Sequence, residues 1–114
     1  MTLEKNLKTL NELSQLEDEW YGEGQGTPIS KKTIEKTEKI LKDLGDYQPW
    51  IYPTVDGNIQ MEYDGTKTGE YLEFVISEDK IEVFCQIYDK ITEKDDIEPS
   101  EILKMIESFY EEAK

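Results

Sequence analysis

Residues 59–87 read IQMEYDGTKTGEYLEFVISEDKIEVFCQI, and in three separate runs every second position is apolar. Ile59, Met61 and Tyr63 alternate with Gln60 and Glu62; Leu72, Phe74 and Ile76 with Tyr71, Glu73 and Val75; Ile81, Val83, Cys85 and Ile87 with Glu82, Phe84 and Gln86. A period of two sends successive side chains to opposite faces, so each run predicts a strand with one apolar face. The Gly65–Gly69 stretch and Ser77-Glu78-Asp79 separate the runs as turns. Upstream, the segment from Trp50 to Thr54 is joined to the Ile59 run by Asp56-Gly57, a strong hairpin signal. The expectation is a four-stranded antiparallel meander.

On either side of this stretch the period changes to about 3.6. Leu3, Leu7, Leu10, Leu13 and Leu16 predict an amphipathic helix, which Gly22, Gly24 and Gly26 bring to an end. Thr27-Pro28-Ile29-Ser30 opens a second helix over residues 31–44, with Ser30 as N-cap and Ile29 and Ile34 at the two positions of a hydrophobic staple. Its inner stripe is Ile34, Thr37, Ile40, Leu41 and Leu44, and Gly45 is its stop. After a polar connector over residues 92–98, Pro99 and the repeat Ile102, Ile106, Phe109, Ala113 predict a closing helix. Residues 1–114 thus read as one α+β domain: two N-terminal helices, the four-stranded meander, and a C-terminal helix packed on the sheet, with one sheet face covered by helices.

Composition narrows the chemistry. The 114 residues hold 27 Asp and Glu against 13 basic residues, all Lys, for a net charge of −14. The acidity is uneven: residues 1–48 carry 7 Lys and 10 acids, net −3, and residues 49–114 carry 6 Lys and 17 acids, net −11. Nucleic-acid readers need a basic footprint and commonly Arg forks, so direct nucleic-acid binding is not expected, nor is docking on an anionic membrane. The longest apolar runs, Trp50-Ile51-Tyr52 and Phe74-Val75-Ile76, are strand-sized and far short of the roughly 20 residues that span a bilayer. With no His and one Cys, Cys85, there is neither an imidazole for a catalytic triad nor an intramolecular disulfide. Met1-Thr2-Leu3-Glu4-Lys5 lacks the pattern of a secretory signal, and with the single Cys this predicts a cytoplasmic setting.

No motif specifies a catalytic or cofactor site. Gly22-Glu23-Gly24-Gln25-Gly26 follows a helix and has the wrong spacing for a dinucleotide loop, and Gly65-Thr66-Lys67-Thr68-Gly69 lacks the Gly-Lys-Ser/Thr of a phosphate loop. Asp95, Asp96 and Glu98 read as a solvated acidic connector rather than a designed cation site. Cys85 lies on the apolar side of its strand and reads as a small hydrophobe.

What remains is a surface. Tyr71, Val75, Phe84 and Tyr88 are interleaved with Gln60, Glu62, Glu73, Glu82 and Gln86 on the second face of the meander. Either that face binds a partner, with rings as anchors and carboxylates pairing its Lys and Arg, or the C-terminal helix or Trp50 strand covers it.

The order Leu16, Trp20, Gly22, Gly24, Pro28, Ile29, Ser30, Ile34, followed by Pro53-Thr54-Val55-Asp56-Gly57 and Ile59, Met61, Glu62, Tyr63, resembles a widespread group of small bacterial proteins. That group has a Trp-x-Gly-x-Gly turn before a Pro-Ser helix start, and a Pro-Thr-x-Asp-Gly hairpin before an acidic strand. The resemblance implies an accessory protein of plasmids, phages and toxin or defence loci, and carries over no catalytic residues.

The expected function is therefore a non-enzymatic accessory or inhibitor protein whose acidic half engages a basic surface, such as the nucleic-acid groove of a nuclease or defence enzyme. The expected contacts are Glu62, Asp64, Glu73, Glu82, Asp95 and Asp96, with Tyr71 and Phe84 as anchors, and no cofactor. The competing readings are a subunit that homodimerises through the aromatic face or a sheet edge, and a carboxylate-metal enzyme.

Overall fold

The computed structural model describes residues 1–112. Its elements are α1 (Leu3–Leu13), α2 (Lys31–Asp43), β1 (Trp50–Pro53), β2 (Ile59–Asp64), β3 (Glu70–Ile76), β4 (Ile81–Ile87), β5 (Lys90–Lys94) and α3 (Pro99–Glu112). The strands lie side by side in chain order, each antiparallel to the next. The α+β architecture and the meander are as the periodicities require. The strand number is not: the sheet has five strands, because residues 90–94 form β5 where the sequence suggested the start of a polar connector. All five residues of β5 are exposed, so no buried face imprinted an apolar alternation on them. The two-residue turn before it, Tyr88-Asp89, contains no glycine to announce it, although Tyr88 takes φ +57°.

One face of the sheet is the core face. Ile59, Met61, Leu72, Phe74, Ile76 and Ile81 are essentially inaccessible, as are Leu41, Ile102 and Ile106 from the helices. Helix termini follow local chemistry. Thr2 caps α1 by accepting from the Lys5 N–H, and Ser30 caps α2 by accepting from the Thr33 N–H. At α3 the Glu101 carboxylate reaches back to the Glu98 N–H at 2.7 Å, with Pro99 at the first helical position. Gly45, at φ +56°, follows the α2 cap residue Leu44. Ala113, part of the apolar repeat of the last helix, lies outside the described residues.

Two helix faces are rotated from the leucine and isoleucine pattern by buried polar residues. On α1, Asn6 is fully buried while Leu7 is only half-buried. The Asn6 amide donates to the Gln48 side chain and the Pro49 carbonyl, at 3.0 and 2.9 Å, and Gln48 donates to the carbonyls of Leu41 and Gly45. This polar knot ties α1 to the α2–β1 connection. On α2, Thr37 is buried as the stripe requires, but Thr33 is buried where Ile34 was expected, and the Thr37 hydroxyl donates to the Thr33 carbonyl at 2.8 Å.

The two glycine-containing motifs fold against each other. Trp20 donates its indole N–H to the Thr27 carbonyl at 2.8 Å, closing the loop after α1. Thr27 then donates its N–H to the Val55 carbonyl in the β1–β2 turn at 2.9 Å. Gly57, at φ +85°, sits so close that a Cβ there would stand 3.0 Å from the Pro28 carbonyl oxygen. Gly57→Ala should therefore combine about 1–2 kcal/mol of backbone strain with a steric clash. Gly24→Ala, at φ +73° with open space around it, should show the strain alone. Urea unfolding at constant slope separates the two costs, and equal midpoint shifts would mean that the loop contact contributes nothing.

Candidate functional site

Cross-strand register fixes what the second face presents. Trp50, Glu62, Glu73, Phe84 and Glu93 are successive partners across all five strands. At the usual strand spacing the row from Trp50 to Phe84 spans about 14 Å. The neighbouring rows are Tyr52, Gln60, Val75 and Glu82 on one side, and Asp64, Tyr71, Gln86 and Ile91 on the other. None of these residues is buried, and Trp50, Tyr52 and Ile91 are 50%, 45% and 56% exposed. The face is open. The C-terminal helix packs on the opposite face, where Ile102, Ile106 and Phe109 join the core, and Trp50 extends the open face at an edge instead of covering it.

The centre of the face is a like-charge pair. Glu62 and Glu73 stand directly opposite each other on β2 and β3, an arrangement that is destabilising without compensation. The Tyr71 hydroxyl lies against both, 2.9 Å from a Glu62 oxygen and 2.7 Å from a Glu73 oxygen, and Gln60 donates to the same Glu62 oxygen at 2.6 Å. One phenolic proton serves two carboxylates. Tyr71 and Phe84 rings pack at a centroid distance of 6.3 Å. Two carboxylates flanked by Trp50 and Phe84 make a receptor for a flat or point cation, through charge and through the ring faces.

The expected contact residues divide. Glu62, Asp64, Tyr71, Glu73, Glu82 and Phe84 come together on this face. Glu82 is already paired with Lys80 at 3.0 Å. Asp95 borders a shallow depression with Glu73, Phe84 and Glu93, continuous with the face. Asp96 instead accepts the Ile81 N–H at 3.2 Å and so serves the start of β4. Tyr88 leaves the face for the β4–β5 turn. Trp50, Tyr52, Ile91 and Glu93 belong to the surface and escaped the sequence reading. The alternation of Trp50 and Tyr52 about buried Ile51 was the available signal for two of them.

On the core face the hydroxyl of Tyr63 donates to the Tyr47 carbonyl at 2.6 Å, and Tyr110 stacks on Tyr47 at 6.3 Å. Between α3 and the β4–β5 edge lies a cleft of about 370 Å³ whose lining includes half-buried Cys85. Among the described residues no group of three His, Cys, Asp or Glu side chains is placed to hold a metal ion, and no helix is long and apolar enough to cross a membrane. Neither a family model, nor a curated protein, nor a solved structure matches the chain.

Three tyrosines resist ionisation. Burial raises the Tyr71 phenol, and hydrogen bonds to Glu73 and Glu62 raise it further; burial also raises Tyr63 and Tyr110, with smaller electrostatic additions from Tyr110 and from Asp64 respectively. A phenol held protonated by the fold stabilises it fully below the unfolded value of about 10, and that contribution is lost as pH rises above it. In a spectrophotometric titration, Tyr63 and Tyr71 should ionise only with alkaline unfolding. Tyr71→Phe should remove one late-titrating group and move that unfolding to higher pH, while costing about 1 kcal/mol at neutral pH by leaving Glu62 and Glu73 opposed. Ionisation of Tyr63 and Tyr71 near pH 10 in a folded protein would contradict the hydrogen-bonded arrangement.

Proposed function

We propose that this chain is a non-enzymatic protein-binding module whose open sheet face docks on a basic surface of a partner. The observation that carries this reading is the row Trp50, Glu62, Glu73, Phe84, Glu93, which alternates anchoring rings with carboxylates on a face that no helix covers. Rings supply buried area at the centre of an interface, and carboxylates pair Lys or Arg and steer the encounter. The net charge of −11 over residues 49–114 extends that steering beyond contact range.

The finer reading is an accessory or inhibitor protein, carried by a phage or other mobile element, that occupies the groove with which a nuclease or defence enzyme neutralises phosphates. Its support is the spacing of carboxylates across adjacent strands and the resemblance of the Trp20 and Asp56-Gly57 motifs to accessory proteins of such loci. The lone Cys fits action in a reducing compartment such as the cytoplasm. A second copy of this chain is a poorer occupant of the face, because self-docking would join two surfaces on which Glu62, Glu73, Glu82 and Glu93 outnumber Lys80. The β5 edge is also guarded: antiparallel pairing about Thr92 would set Lys90 against Lys94.

Affinity capture from host lysate, run in parallel with the wild-type chain and with Glu62→Lys/Glu73→Lys, tests the reading. A basic, nucleic-acid-handling protein should be retained by the wild type at low salt, released at high salt, and lost by roughly tenfold or more in the variant. Sedimentation should give a monomer. Capture indifferent to the double substitution, or a dimer that Trp50→Glu dissociates, would overturn the proposal.

A further inference from the structure

On the core face, two cross-strand rows stay apolar as far as β4 and turn polar on the last strand, and the third carries the buried carboxylate of Glu70 opposite Ile87. Ile51, Met61, Phe74 and Val83 end in Lys94; Tyr63, Leu72 and Cys85 end in Thr92; Ile87 pairs with Lys90. Helix α3 does not close over this boundary. It leaves the 370 Å³ cleft, within the size range of small-molecule sites, with a floor that includes Val83, Ile87 and Phe109. Lys90 and Lys94 line it from β5, and Lys104 from α3.

The charge at this rim runs against that of the molecule. The chain as a whole has about two acids for every lysine, whereas three lysines and one acid, Glu101, border the cleft. Glu101 is engaged with the Glu98 N–H at the start of α3. Long lysine stems can lie along the apolar wall while their ammonium groups stay at the water boundary, where they meet an anion.

We propose that this cleft binds a small molecule with an apolar body and one anionic head group, the simplest members being alkyl carboxylates. The body lies on the Val83, Ile87 and Phe109 floor, and the head is held at the mouth by Lys94 and Lys104. The site is on the opposite side of the sheet from the protein-binding face and does not depend on that reading.

The test compares octanoate, octanol and octylammonium, which share one apolar body and differ in charge, by amide chemical-shift titration of the whole protein. The overall charge of −14 favours octylammonium over octanoate on the molecule as a whole, so the reverse order of affinity at this rim is diagnostic. Octanoate should shift the amides of Thr92, Lys94, Met105 and Ser108 at millimolar concentration, octanol more weakly, and octylammonium least. Lys94→Ala/Lys104→Ala, at exposed positions that the fold does not need, should weaken octanoate about fivefold or more and leave octanol unchanged. The proposal fails if octanoate leaves those amides unmoved, if octanol or octylammonium binds there as well as octanoate, or if the double variant binds octanoate like the wild type.

Discussion

Sliding β3 by one residue against β2 would turn Leu72, Phe74 and Ile76 to water and bury Tyr71, Glu73 and Val75 in their place. Everything else in the molecule depends on that slip being forbidden. Two fully buried partners, Met61 and Phe74, hold the register from within the core. The turns hold it from the ends. Between β1 and β2, Thr54 accepts the Asn58 N–H on its hydroxyl, and Gly57 takes up a conformation that other residues resist. Between β2 and β3, the buried Glu70 carboxylate accepts the Lys67 N–H at 2.7 Å and so shapes the Gly65–Gly69 loop from inside.

Once the register is set, the molecule separates its two chemistries by side-chain parity alone. The same strands that give Ile59, Met61 and Phe74 to the helices give Gln60, Glu62 and Glu73 to solvent. Helical coverage is one-sided, with α1 near β1 and α3 over the β3–β4 region, and it thins toward β5. The open face and the cleft thus have a common origin: three helices are enough to cover one face of four strands, and the fifth strand lies beyond their reach.

This explains which parts of the structure were legible in the sequence. Strands β2, β3 and β4 and helices α1, α2 and α3 each bury one face, and burial is what writes a period into a sequence. The acidic-aromatic face was readable as the complement of that pattern, which is why Glu62, Glu73, Tyr71 and Phe84 were found together. β5 buries nothing and left no period, and with it Ile91 and Glu93 were missed. Asn6 and Thr33 were missed for the opposite reason: they are polar residues buried where the Asn6 amide donates to partners far along the chain and the Thr33 hydroxyl accepts from Ser30 one turn off, and composition along the helix cannot show such partners. Asp96 looked like one more surface acid until the fold brought the Ile81 N–H to it.

The Trp20 loop has a kinetic consequence. Every strand pairs with its immediate successor, so the sheet can assemble from short loop closures, whose entropic cost is small. Helix α1 and the loop behind it are held instead by contacts that reach far along the chain, from Asn6 to Gln48 and Pro49, and from Thr27 to Val55. Gln48 and Pro49 are placed by the α2–β1 connection, and the Val55 carbonyl by the β1–β2 turn. The first 28 residues thus add contacts of long sequence separation, with their larger loop-closure cost, to a sheet built from short ones.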